Sequence, residues 1–546
     1  AALAPRDRAR MVLEAPTGSG KSTQLPQIML DRGLVPEGEI VVLQPRRIAA
    51  RLLARRVAAE RGVKAGDEIG YQVRFERVAG RATRVRYVTE GVLLRQLLDD
   101  PKLSGVAAIV FDEFHERHLH GDVMLAMALA LQAEARPDLK LAVTSATLDS
   151  EALEKHLAPC AVVRSQGRTF PVDVIYAPPP QKLRDAPWDA ITKAVKEHVV
   201  NKDREGDVLV FLPGAYEIRR TVETLRRTAG LGGWVVRPLF GELSPKDQDA
   251  AVAPCGDRKI VVATNVAETS LTIDGVQTVI DSGLARVACF DQRRGINTLT
   301  IQKISRASAE QRAGRAGRTA PGLCIRLWSE RDHSARAGEQ APELHRLDLS
   351  ETLLALKATG IEDVEDLPWV DRPEADSVAR ASELLADLGA IERHGGNITK
   401  IGRKMVAFPT HPRYARRLVA AGEQGCVAEA ALCAALCQGR DLFVRAKKGA
   451  ALEFAARGDR SDFQPMIRAW SLAQRARFEV SKCDPYGINA SAAREAGAVT
   501  AQLLKVAGRL GMGTEPRTDG VDSEALAKVL LTGFSDHVAR RLSTGT

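Results

Sequence analysis

A loop of small residues carries the first chemical pattern of the chain. Residues 15–22 read Ala-Pro-Thr-Gly-Ser-Gly-Lys-Ser, between an apolar run and an amphipathic segment. In this context backbone N–H groups and a helix N-terminus bind phosphate, Lys21 reaches the β- and γ-oxygens of a nucleotide, and Ser22 ligates Mg²⁺. The common pattern opens with Gly where Ala15 stands. A glycine-rich loop without a ligand is the alternative for this motif taken alone.

An acidic pair forms the second pattern. Residues 111–117 read Phe-Asp-Glu-Phe-His-Glu-Arg after an apolar run. Carboxylates at the carboxyl end of a parallel strand lie where α/β sheets bind ligands, beside the loop after the first strand. Asp112 is therefore predicted to hold Mg²⁺ through its water shell, and Glu113 to orient and deprotonate an attacking water. The alternative is a solvated acidic turn that His115 caps.

The third pattern is an arginine-rich octet. Residues 311–318 read Gln-Arg-Ala-Gly-Arg-Ala-Gly-Arg. Arginines at three-residue spacing predict a helix with one densely cationic edge, because positions i and i+3 share a helix face. The Gly and Ala residues between them leave room for a phosphate. The octet is therefore predicted to bind an anion.

The hydrophobic pattern predicts two α/β lobes that position these motifs. Short apolar runs alternate with amphipathic segments such as residues 47–60 and 123–131, as in βαβ units with a parallel sheet. After about residue 330 Ala/Leu/Arg-rich helices dominate. There a helix at 377–388 and a hairpin at 390–392 and 398–401, around a turn at 394–397, predict a winged helix. The strands predicted for the two lobes are 11–13, 40–43, 85–88, 107–111 and 139–143, then 208–212, 235–239, 260–263 and 278–280.

Composition narrows the class of protein. A chain of 546 residues exceeds what one hydrophobic core organises, so three or four domains are expected. The net charge of +9 favours nucleic acid as a partner, and 4% aromatic residues favour backbone contacts over base stacking. The chain has no long apolar run and no signal-peptide core, which predicts a cytoplasmic protein without a membrane partner. Cys433 and Cys437 are predicted to be buried thiols rather than metal ligands.

In their order along the chain, these motifs resemble those of superfamily 2 helicases of the DEAH/RHA group. The acidic tetrad is Asp-Glu-Phe-His rather than Asp-Glu-Ala-His, and its context is similar to the bacterial HrpB-type branch. The resemblance spans nearly the whole chain. The further segments that carry it are Pro-Arg-Arg at 45–47, Thr-Glu-Gly at 89–91, Ser-Ala-Thr at 145–147, Phe-Leu-Pro-Gly at 211–214 and Thr-Asn-Val-Ala-Glu-Thr-Ser at 264–270.

The resemblance implies an α/β fold with two RecA-like parallel-sheet lobes, followed by a winged helix and a helical ratchet-type domain. An OB-fold that follows in relatives is expected to be absent or only begun. The implied boundaries are 1–166 for the first lobe, 167–330 for the second, 331–408 for the winged helix, 409–522 for the ratchet-type domain and 523–546 for the start of the OB-fold.

The resemblance also implies an ATP site between the lobes. Arg315 and Arg318 would be arginine fingers from the second lobe, and Gln311 would place the hydrolytic water beside Lys21 and Glu113. For Arg312 two roles are open: it either belongs to the anion site or forms an ion pair within its own lobe. Further implied residues are Thr17, Gly18, Ser19, Gly20, Ser22, Thr23, Arg56 and Asp274 for ATP, Ser22, Asp112 and Glu113 for Mg²⁺, and Ser145 and Thr147 for coupling.

Base selectivity is expected to be weak. Arg56 matches a residue that stacks on adenine in eukaryotic relatives, and Val252 stands where those relatives have Phe on the other side. A thinner apolar contact implies that other nucleoside triphosphates can replace ATP.

A single nucleic-acid strand is implied to cross both lobes, held through phosphates and sugars, so that binding is sequence-tolerant and salt-sensitive. A turn at 70–75 belongs to this path. A hairpin at 285–300 is either a strand-separating wedge or a plain surface hairpin. A solvated helix face is the alternative for Arg47, Arg51 and Arg55. The implied contacts are Arg46, Arg47, Arg74, Thr89 and Thr264.

Three functions are compatible with these patterns. The favoured one is a monomeric ATP-dependent 3′-to-5′ helicase on single-stranded RNA or DNA, with RNA the preferred expectation. The second is a nucleic-acid-stimulated ATPase that remodels complexes without processive unwinding. The third is a non-catalytic binding scaffold, which would be free to lose at least one of the catalytic residues. All of those residues are present.

Overall fold

The computed structural model describes residues 8–16, 18–146, 151–165, 170–179, 186–269, 271, 273–394, 396–444, 449–459, 461–515 and 523–538. Packing divides the chain into two units. One comprises Ala1–Asp348 with Glu365–Pro373, and the other comprises Leu349–Val364 with Glu374–Thr546. Residues 331–348 thus pack with the first unit, although they were assigned to the winged helix. The boundaries within each unit stay predictions.

The first unit opens with an eight-stranded sheet of order β4-β3-β5-β2-β6-β7-β1-β8. All its pairings are parallel except that of β3 with β4. The strands are β1 (Arg10–Glu14), β2 (Glu39–Gln44), β3 (Ile69–Val73), β4 (Glu76–Val78), β5 (Val85–Thr89), β6 (Val106–Phe111), β7 (Lys140–Ser145) and β8 (Ala161–Arg164). The helices are α1 (Lys21–Asp31), α2 (Arg47–Glu60), α3 (Glu90–Asp99), α4 (Leu119–Glu134) and α5 (Glu151–Leu157).

The pattern at 69–78 corrects the predicted turn at 70–75. Buried Ile69, Tyr71 and Val73 alternate with Gly70 and a half-buried glutamine, which is the period of a strand. A Cβ at Gly70 would lie 2.6 Å from the carbonyl oxygen of Val78, so the β4 backbone requires glycine there. Only the last two residues of the predicted turn reverse the chain.

A second parallel sheet, of order β11-β12-β10-β13-β16-β9, follows in the same unit, and β14 and β15 form a separate antiparallel hairpin. The predicted hairpin at 285–300 is therefore present. The strands are β9 (Val172–Tyr176), β10 (Asp207–Phe211), β11 (Val235–Leu239), β12 (Lys259–Ala263), β13 (Val276–Asp281), β14 (Leu284–Asp291), β15 (Ile296–Lys303) and β16 (Gly322–Arg326). The helices are α6 (Pro187–Val195), α7 (Ala215–Arg226), α8 (Pro245–Val252), α9 (Arg306–Ala313) and α10 (Glu330–Ser334).

Helix α2 joins the two sheets. Most of its small and apolar residues pack on the first sheet, but Ile48 and Ala49 belong to an apolar cluster with Phe211 and Val261 of the second. Its buried Arg51 donates to Asp249 of α8 at 3.0 Å, and the exposed Arg55 to the same carboxylate at 2.8 Å. The alternative of a solvated helix face is therefore wrong for Arg51.

The second unit is helical in the described residues. The predicted hairpin at 390–401 is reduced to one antiparallel bridge between Ile391 and Ile398. Its second strand is wrong because Thr399 caps a helix there, its hydroxyl accepting from the N–H of Gly402 at 3.0 Å. The helices are α11 (Ser350–Ala358), α12 (Ala375–Asp387), α13 (Lys400–Val406), α14 (Pro412–Gln424), α15 (Val427–Gln438), α16 (Phe463–Arg475), α17 (Val480–Cys483), α18 (Ala490–Arg509) and α19 (Ser523–Thr532).

Of the two cysteines of α15 that were predicted to be buried, the structure buries one. Cys433 is buried, but Cys437 is exposed one turn later, where the helix ends. Across the described ranges, no helix combines the length and apolar character needed to span a membrane.

Candidate active site between the two sheets

The predicted phosphate loop connects β1 to α1. Gly18 and Gly20 have φ values of +89° and +83°, a conformation that disfavours any side chain with a Cβ. The loop is closed by the N–H of Ser19, which donates to the carbonyl of Pro16 at 3.3 Å, and by Thr23, whose hydroxyl donates to the carbonyl of Gly20 at 3.1 Å. Thr17 lies outside the described residues.

Lys21 and Glu113 meet in the interior. The Lys21 side chain is 3% exposed and that of Glu113 is 4% exposed, and Lys21 Nζ lies 3.4 Å from Glu113 Oε2. Two buried opposite charges at this distance compensate each other, whereas either one alone would be costly. The first lobe thus brings its predicted phosphate-binding lysine and its predicted general base together.

Neutral donors hold Asp112 at the end of β6. Gln44 Nε2 donates to Oδ2 and Thr144 Oγ1 to Oδ1, both at 2.6 Å. The Ser22 hydroxyl also hydrogen-bonds this carboxylate. Burial and the charge of Glu113 raise the pKa of Asp112 above its ordinary value. The site therefore favours an added positive charge at this carboxylate.

Glu113 has an unusual backbone and an ionised side chain. Its φ is +52°, which is uncommon for a residue with a Cβ. Burial opposes its ionisation, but the Lys21 ammonium and the Arg315 guanidinium lower the pKa of Glu113 below its ordinary value. Glu113 is therefore a carboxylate at neutral pH, as a proton acceptor must be.

His115 contacts the next strand rather than solvent. Its Nδ1 accepts from the N–H of Ala146 at 3.2 Å, so Nδ1 carries no proton. The histidine thus connects the acidic turn to the segment predicted for coupling. Ser145 of that segment is buried at the end of β7. Thr147 lies outside the described residues.

Arg318 lies over the phosphate loop. A Cβ at Gly18 would be 3.3 Å from Arg318 Nε. Arg318 also donates to the carbonyl of Leu271 at 3.3 Å, and burial lowers the pKa of its guanidinium to about 10, which leaves it charged at neutral pH. An arginine of the second lobe therefore reaches the loop of the first.

Arg315 is buried beside it. Its guanidinium donates to the carbonyls of Leu271 and Thr269, both at 2.6 Å, and to that of Glu268. Burial, followed by the charge of Arg318, lowers the pKa of Arg315 well below its ordinary value. Arg315 and Glu113 interact electrostatically, and the hydrogen bonds of the Arg315 guanidinium go to backbone carbonyls instead.

The octet is not a single cationic helix edge. Helix α9 ends at Ala313, so Arg312 is its last arginine, and the two later arginines stand in a turn and in a bend. Arg312 is fully buried and donates to Glu268 and Asp281, each at 2.8 Å. It therefore forms the ion pair within its own lobe, and the predicted shared edge is wrong because the helix is too short.

Gln311 lies on α9 and is half-buried. It lines a cavity of about 500 Å³ with Arg46, His115, Ser145 and Glu268. The structure thus groups Gln311 with Ser145, one of the two predicted coupling residues.

Two residues predicted for ATP, Arg56 and Asp274, come from different lobes and attract each other, and Asp274 also acts electrostatically on Arg318. Arg56 is exposed and pairs with Glu60 at 2.6 Å, and Asp274 is exposed in the second lobe. Val252 is half-buried, packed against the apolar cluster of the second sheet. No contact of the described residues brings Arg56 and Val252 together.

Arg46 is already occupied in this structure. Its two terminal nitrogens donate to the carboxylate of Glu116 at 2.8 and 2.7 Å, and Thr269 of the second lobe hydrogen-bonds both groups. His118 contacts the same carboxylate at 3.0 Å and Glu343 at 3.1 Å. A strand phosphate would have to compete with Glu116, so the predicted phosphate contact does not follow from this geometry.

The other predicted strand contacts are more open. Arg47 and Arg74 are exposed, and their guanidinium carbons lie 6.0 and 4.9 Å from the ring centre of exposed Phe75. Thr89 is half-buried where β5 meets α3, and Thr264 is half-buried at the end of β12. These four positions are therefore exposed or half-buried, as residues that contact a strand must be.

Several residues of the site escaped sequence reasoning. Three of them stand beside or within a recognised motif, and this position in the sequence could have pointed to them: Gln44, Thr144 and Glu116. His118 and Glu343 carried none, because their contact joins distant segments.

The donor set around Asp112 suits Mg²⁺. Hydroxyl and carboxylate oxygens are the ligands this ion prefers, and it keeps several waters or nucleotide oxygens. Glu113 Oε2 is buried and has no hydrogen-bond partner among the described residues. In the same residues, no cluster of three or more His, Cys, Asp or Glu side chains is arranged to hold a metal by itself.

Family models match three parts of the chain. One described as DEAD/DEAH box helicase matches residues 2–156, and one described as helicase conserved C-terminal domain matches residues 190–320. One described as helicase associated domain (HA2), winged-helix, matches residues 383–410.

Curated relatives share much of the sequence. The chain is 43% identical over 430 residues to the ATP-dependent RNA helicase HrpB of Escherichia coli (strain K12), a match that covers 78% of this chain and 52% of the relative. It is 37% identical over 482 residues to an ATP-dependent RNA helicase HrpA homolog of Haemophilus influenzae, covering 86% of this chain and 37% of the relative. The chain thus spans about half, or less, of these proteins.

Solved structures share the fold. A crystal structure of the Escherichia coli DEAH/RHA helicase HrpB matches with a TM-score of 0.78 and 37% identity, over 97% of this chain and 62% of that one. A crystal structure of E. coli DExH-box NTPase HrpB matches with a TM-score of 0.74, over 98% and 60%. The predicted class of two parallel-sheet lobes with a winged helix is confirmed. The chain belongs to the DEAD/DEAH-box helicase family and is similar to its HrpB-type members.

Proposed function

We propose that the chain hydrolyses ATP between its two lobes and uses that reaction to move along single-stranded nucleic acid, with RNA as the preferred strand and 3′-to-5′ as the direction. Two curated relatives are named ATP-dependent RNA helicases, which supports this activity and substrate. Other nucleoside triphosphates are proposed to serve as well.

One observation carries the proposal. Arg318 of the second lobe lies over Gly18 in the loop of the first, while Lys21 and Glu113 meet beneath that loop. A phosphate bound by the loop would have an ammonium, a carboxylate and a guanidinium around it. Phosphoryl transfer depends on such positioning and charge stabilisation.

Each residue then has a defined role. Lys21 binds the β- and γ-phosphate oxygens, and Glu113 orients the attacking water and accepts its proton. Ser22 and Asp112 would hold Mg²⁺, which supplies charge compensation at the phosphates when bound. Arg318 stabilises charge at the γ-phosphate, and its reach across the lobes makes hydrolysis sensitive to their separation.

Arg315 and Gln311 are proposed to act with them. Arg315 adds positive charge near Glu113 while its hydrogen bonds hold the backbone of 268–271, and Gln311 places the water. Ser145 and Thr147 are proposed to transmit closure of the site. The cavity that Gln311 and Ser145 share, beside Glu268, supports that link.

The proposed strand path uses Arg47, Arg74, Thr89 and Thr264, the last on the second lobe. Arg46 would join it only by exchanging Glu116 for a phosphate. The proposed domains keep the predicted boundaries, except that residues 331–348 pack with the first unit, and we propose a monomer. The substrates, ATP and nucleic acid, favour a cytoplasmic protein.

The test compares ATP turnover with poly-U RNA, matched single-stranded DNA and no strand, at one salt concentration. We expect stimulation by a single strand and a larger effect of RNA. Turnover that neither strand changes would reject nucleic-acid-driven movement. Duplexes with a 3′ or a 5′ overhang then test direction. Stimulated turnover without strand separation on either duplex would support a remodelling ATPase instead.

A further inference from the structure

The hydroxyl of Thr144 hydrogen-bonds both residues of the acidic pair, the predicted Mg²⁺ ligand Asp112 and the predicted general base Glu113. Thr144 is fully buried in β7, one position before the Ser-Ala-Thr segment. Its Oγ1 donates to Asp112 Oδ1 at 2.6 Å and accepts from the N–H of Glu113 at 3.3 Å. We propose that Thr144 is a positioning residue that sets the side chain of Asp112 and the backbone of Glu113 with one atom, an inference that rests on the proposed function.

The chemistry of a hydroxyl allows this double contact. It has one donor hydrogen and two acceptor lone pairs, so it can bind a carboxylate and a peptide N–H at once. Loss of the oxygen would leave Asp112 Oδ1 without that donor and the N–H of Glu113 without an acceptor. Both groups are buried, where an unmet hydrogen bond is costly.

The strained turn makes the contact with Glu113 consequential. The φ of +52° at Glu113 persists only when its surroundings determine it. Thr144 supplies an acceptor to this residue from the neighbouring strand. The register of β6 with β7, in which Phe111 pairs with Val143, brings Thr144 alongside Asp112 and Glu113.

Charge is left available at Asp112. Thr144 and Gln44 are both neutral donors, one on each carboxylate oxygen, so they orient the group without neutralising it. The remaining negative charge is what a Mg²⁺ ion would need. Residues that hydrogen-bond a metal ligand without touching the metal typically change metal affinity by about 10- to 100-fold when they are replaced.

The same strand end also contacts the rest of the acidic turn. Two residues after Thr144, the N–H of Ala146 donates to His115 Nδ1 at 3.2 Å. The end of β7 therefore contacts Asp112, Glu113 and His115 in succession. A shift of this strand would change all of these contacts together.

The test replaces Thr144→Val, which removes the oxygen and keeps the shape, and Thr144→Ser, which restores it. The matched control is Thr221→Val, because Thr221 on α7 is also fully buried and its hydroxyl has no partner among the described residues. Folding of each variant is checked by circular dichroism. Two readouts are taken: binding of a fluorescent ADP analogue across a Mg²⁺ titration, and kcat and KM for ATP.

For Thr144→Val we expect the Mg²⁺ concentration that half-maximally enhances ADP binding to rise about 10-fold or more. We expect kcat to fall about 10²-fold with a smaller change in KM. Thr144→Ser should recover both, and Thr221→Val should match the parental chain. A folded Thr144→Val with parental Mg²⁺ dependence and kcat would overturn the inference, as would failure of Thr144→Ser to recover. Absence of turnover in the parental chain would instead reject the proposed function, and the binding titration would still decide the role of Thr144.

Discussion

Arg318 of the second lobe lies so close to Gly18 of the first that a Cβ added at Gly18 would be 3.3 Å from Arg318 Nε. The arginine-rich octet thus meets the phosphate loop, although the two segments stand at opposite ends of the two lobes in the sequence. This position also separates Arg318 from the other arginines of the octet.

Arg318→Ala is expected to lower kcat for ATP by about 10³-fold or more, with little change in nucleotide affinity, because an arginine finger acts mainly on the transition state. Steady-state ATPase kinetics and nucleotide binding measure the two effects. Arg220→Ala is the control, since Arg220 is half exposed and contacts Glu223 and the ring of Trp188, neither of which belongs to the proposed site. A parental kcat in Arg318→Ala would remove this residue from the site.

Arg312→Ala is expected to destabilise the fold by about 3–5 kcal/mol, because Asp281 and Glu268 would keep buried charges without their partner. Denaturant unfolding, followed by circular dichroism, measures the loss. A stable Arg312→Ala variant that binds ATP but does not hydrolyse it would contradict the structural role and return Arg312 to the anion site.

The contrast among these arginines shows how far sequence reasoning reached. Every strand predicted in the two lobes overlaps an observed strand, and helix α2 was predicted residue for residue, since apolar periodicity reports local structure. The octet could not be divided in the same way. Its roles depend on where α9 ends and on carboxylates more than 30 residues away, which periodicity does not contain.

Contacts that depend on strand order and register could not be predicted either, because periodicity carries no information on which strands are neighbours. Gln44 and Thr144 converge on Asp112 only because β2 and β7 flank β6 in the sheet. Similarly, Arg46 was expected to face a phosphate, but the fold supplies Glu116 beside it. A parallel sheet was predictable, whereas the order and offset of its strands were not.

His118 is expected to make stability depend on pH. Burial acts against its charge, but hydrogen bonds to Glu116 and Glu343 raise the pKa of His118 well above its ordinary value. The pKa of Glu343 is lowered to about 2. A raised pKa contributes stability that is fully present below the unfolded value of about 6.5 and is lost as pH rises through the folded value.

The measurement is the free energy of unfolding of the parental chain and His118→Gln from pH 6 to pH 10. The difference between the two should be largest at the acidic end and should shrink as pH rises. His345→Gln is the control, because that ring bonds only a backbone carbonyl among the contacts described. A difference that grows with pH would contradict the assignment of a charged His118.

Arg47→Ala and Arg74→Ala are expected to weaken binding of poly-U and mixed-sequence RNA to the same extent. Each should reduce the slope of log K against log salt by about 0.7, the value for one lost contact with a single strand. Fluorescence anisotropy over a salt series measures both quantities. Arg55→Ala serves as the control on the same helix, since Arg55 pairs with Asp249. Loss confined to one RNA sequence would argue against phosphate contacts.

Glu113, paired with Lys21, is proposed to be the base of an ATP-hydrolysing site. The direct measurement is ATP turnover in the presence of single-stranded RNA by the parental chain and by Glu113→Gln, with ADP binding measured alongside. We expect Glu113→Gln to lose about 10²- to 10⁴-fold in turnover while binding the nucleotide as the parental chain does. Parental turnover in a folded Glu113→Gln variant would contradict this assignment.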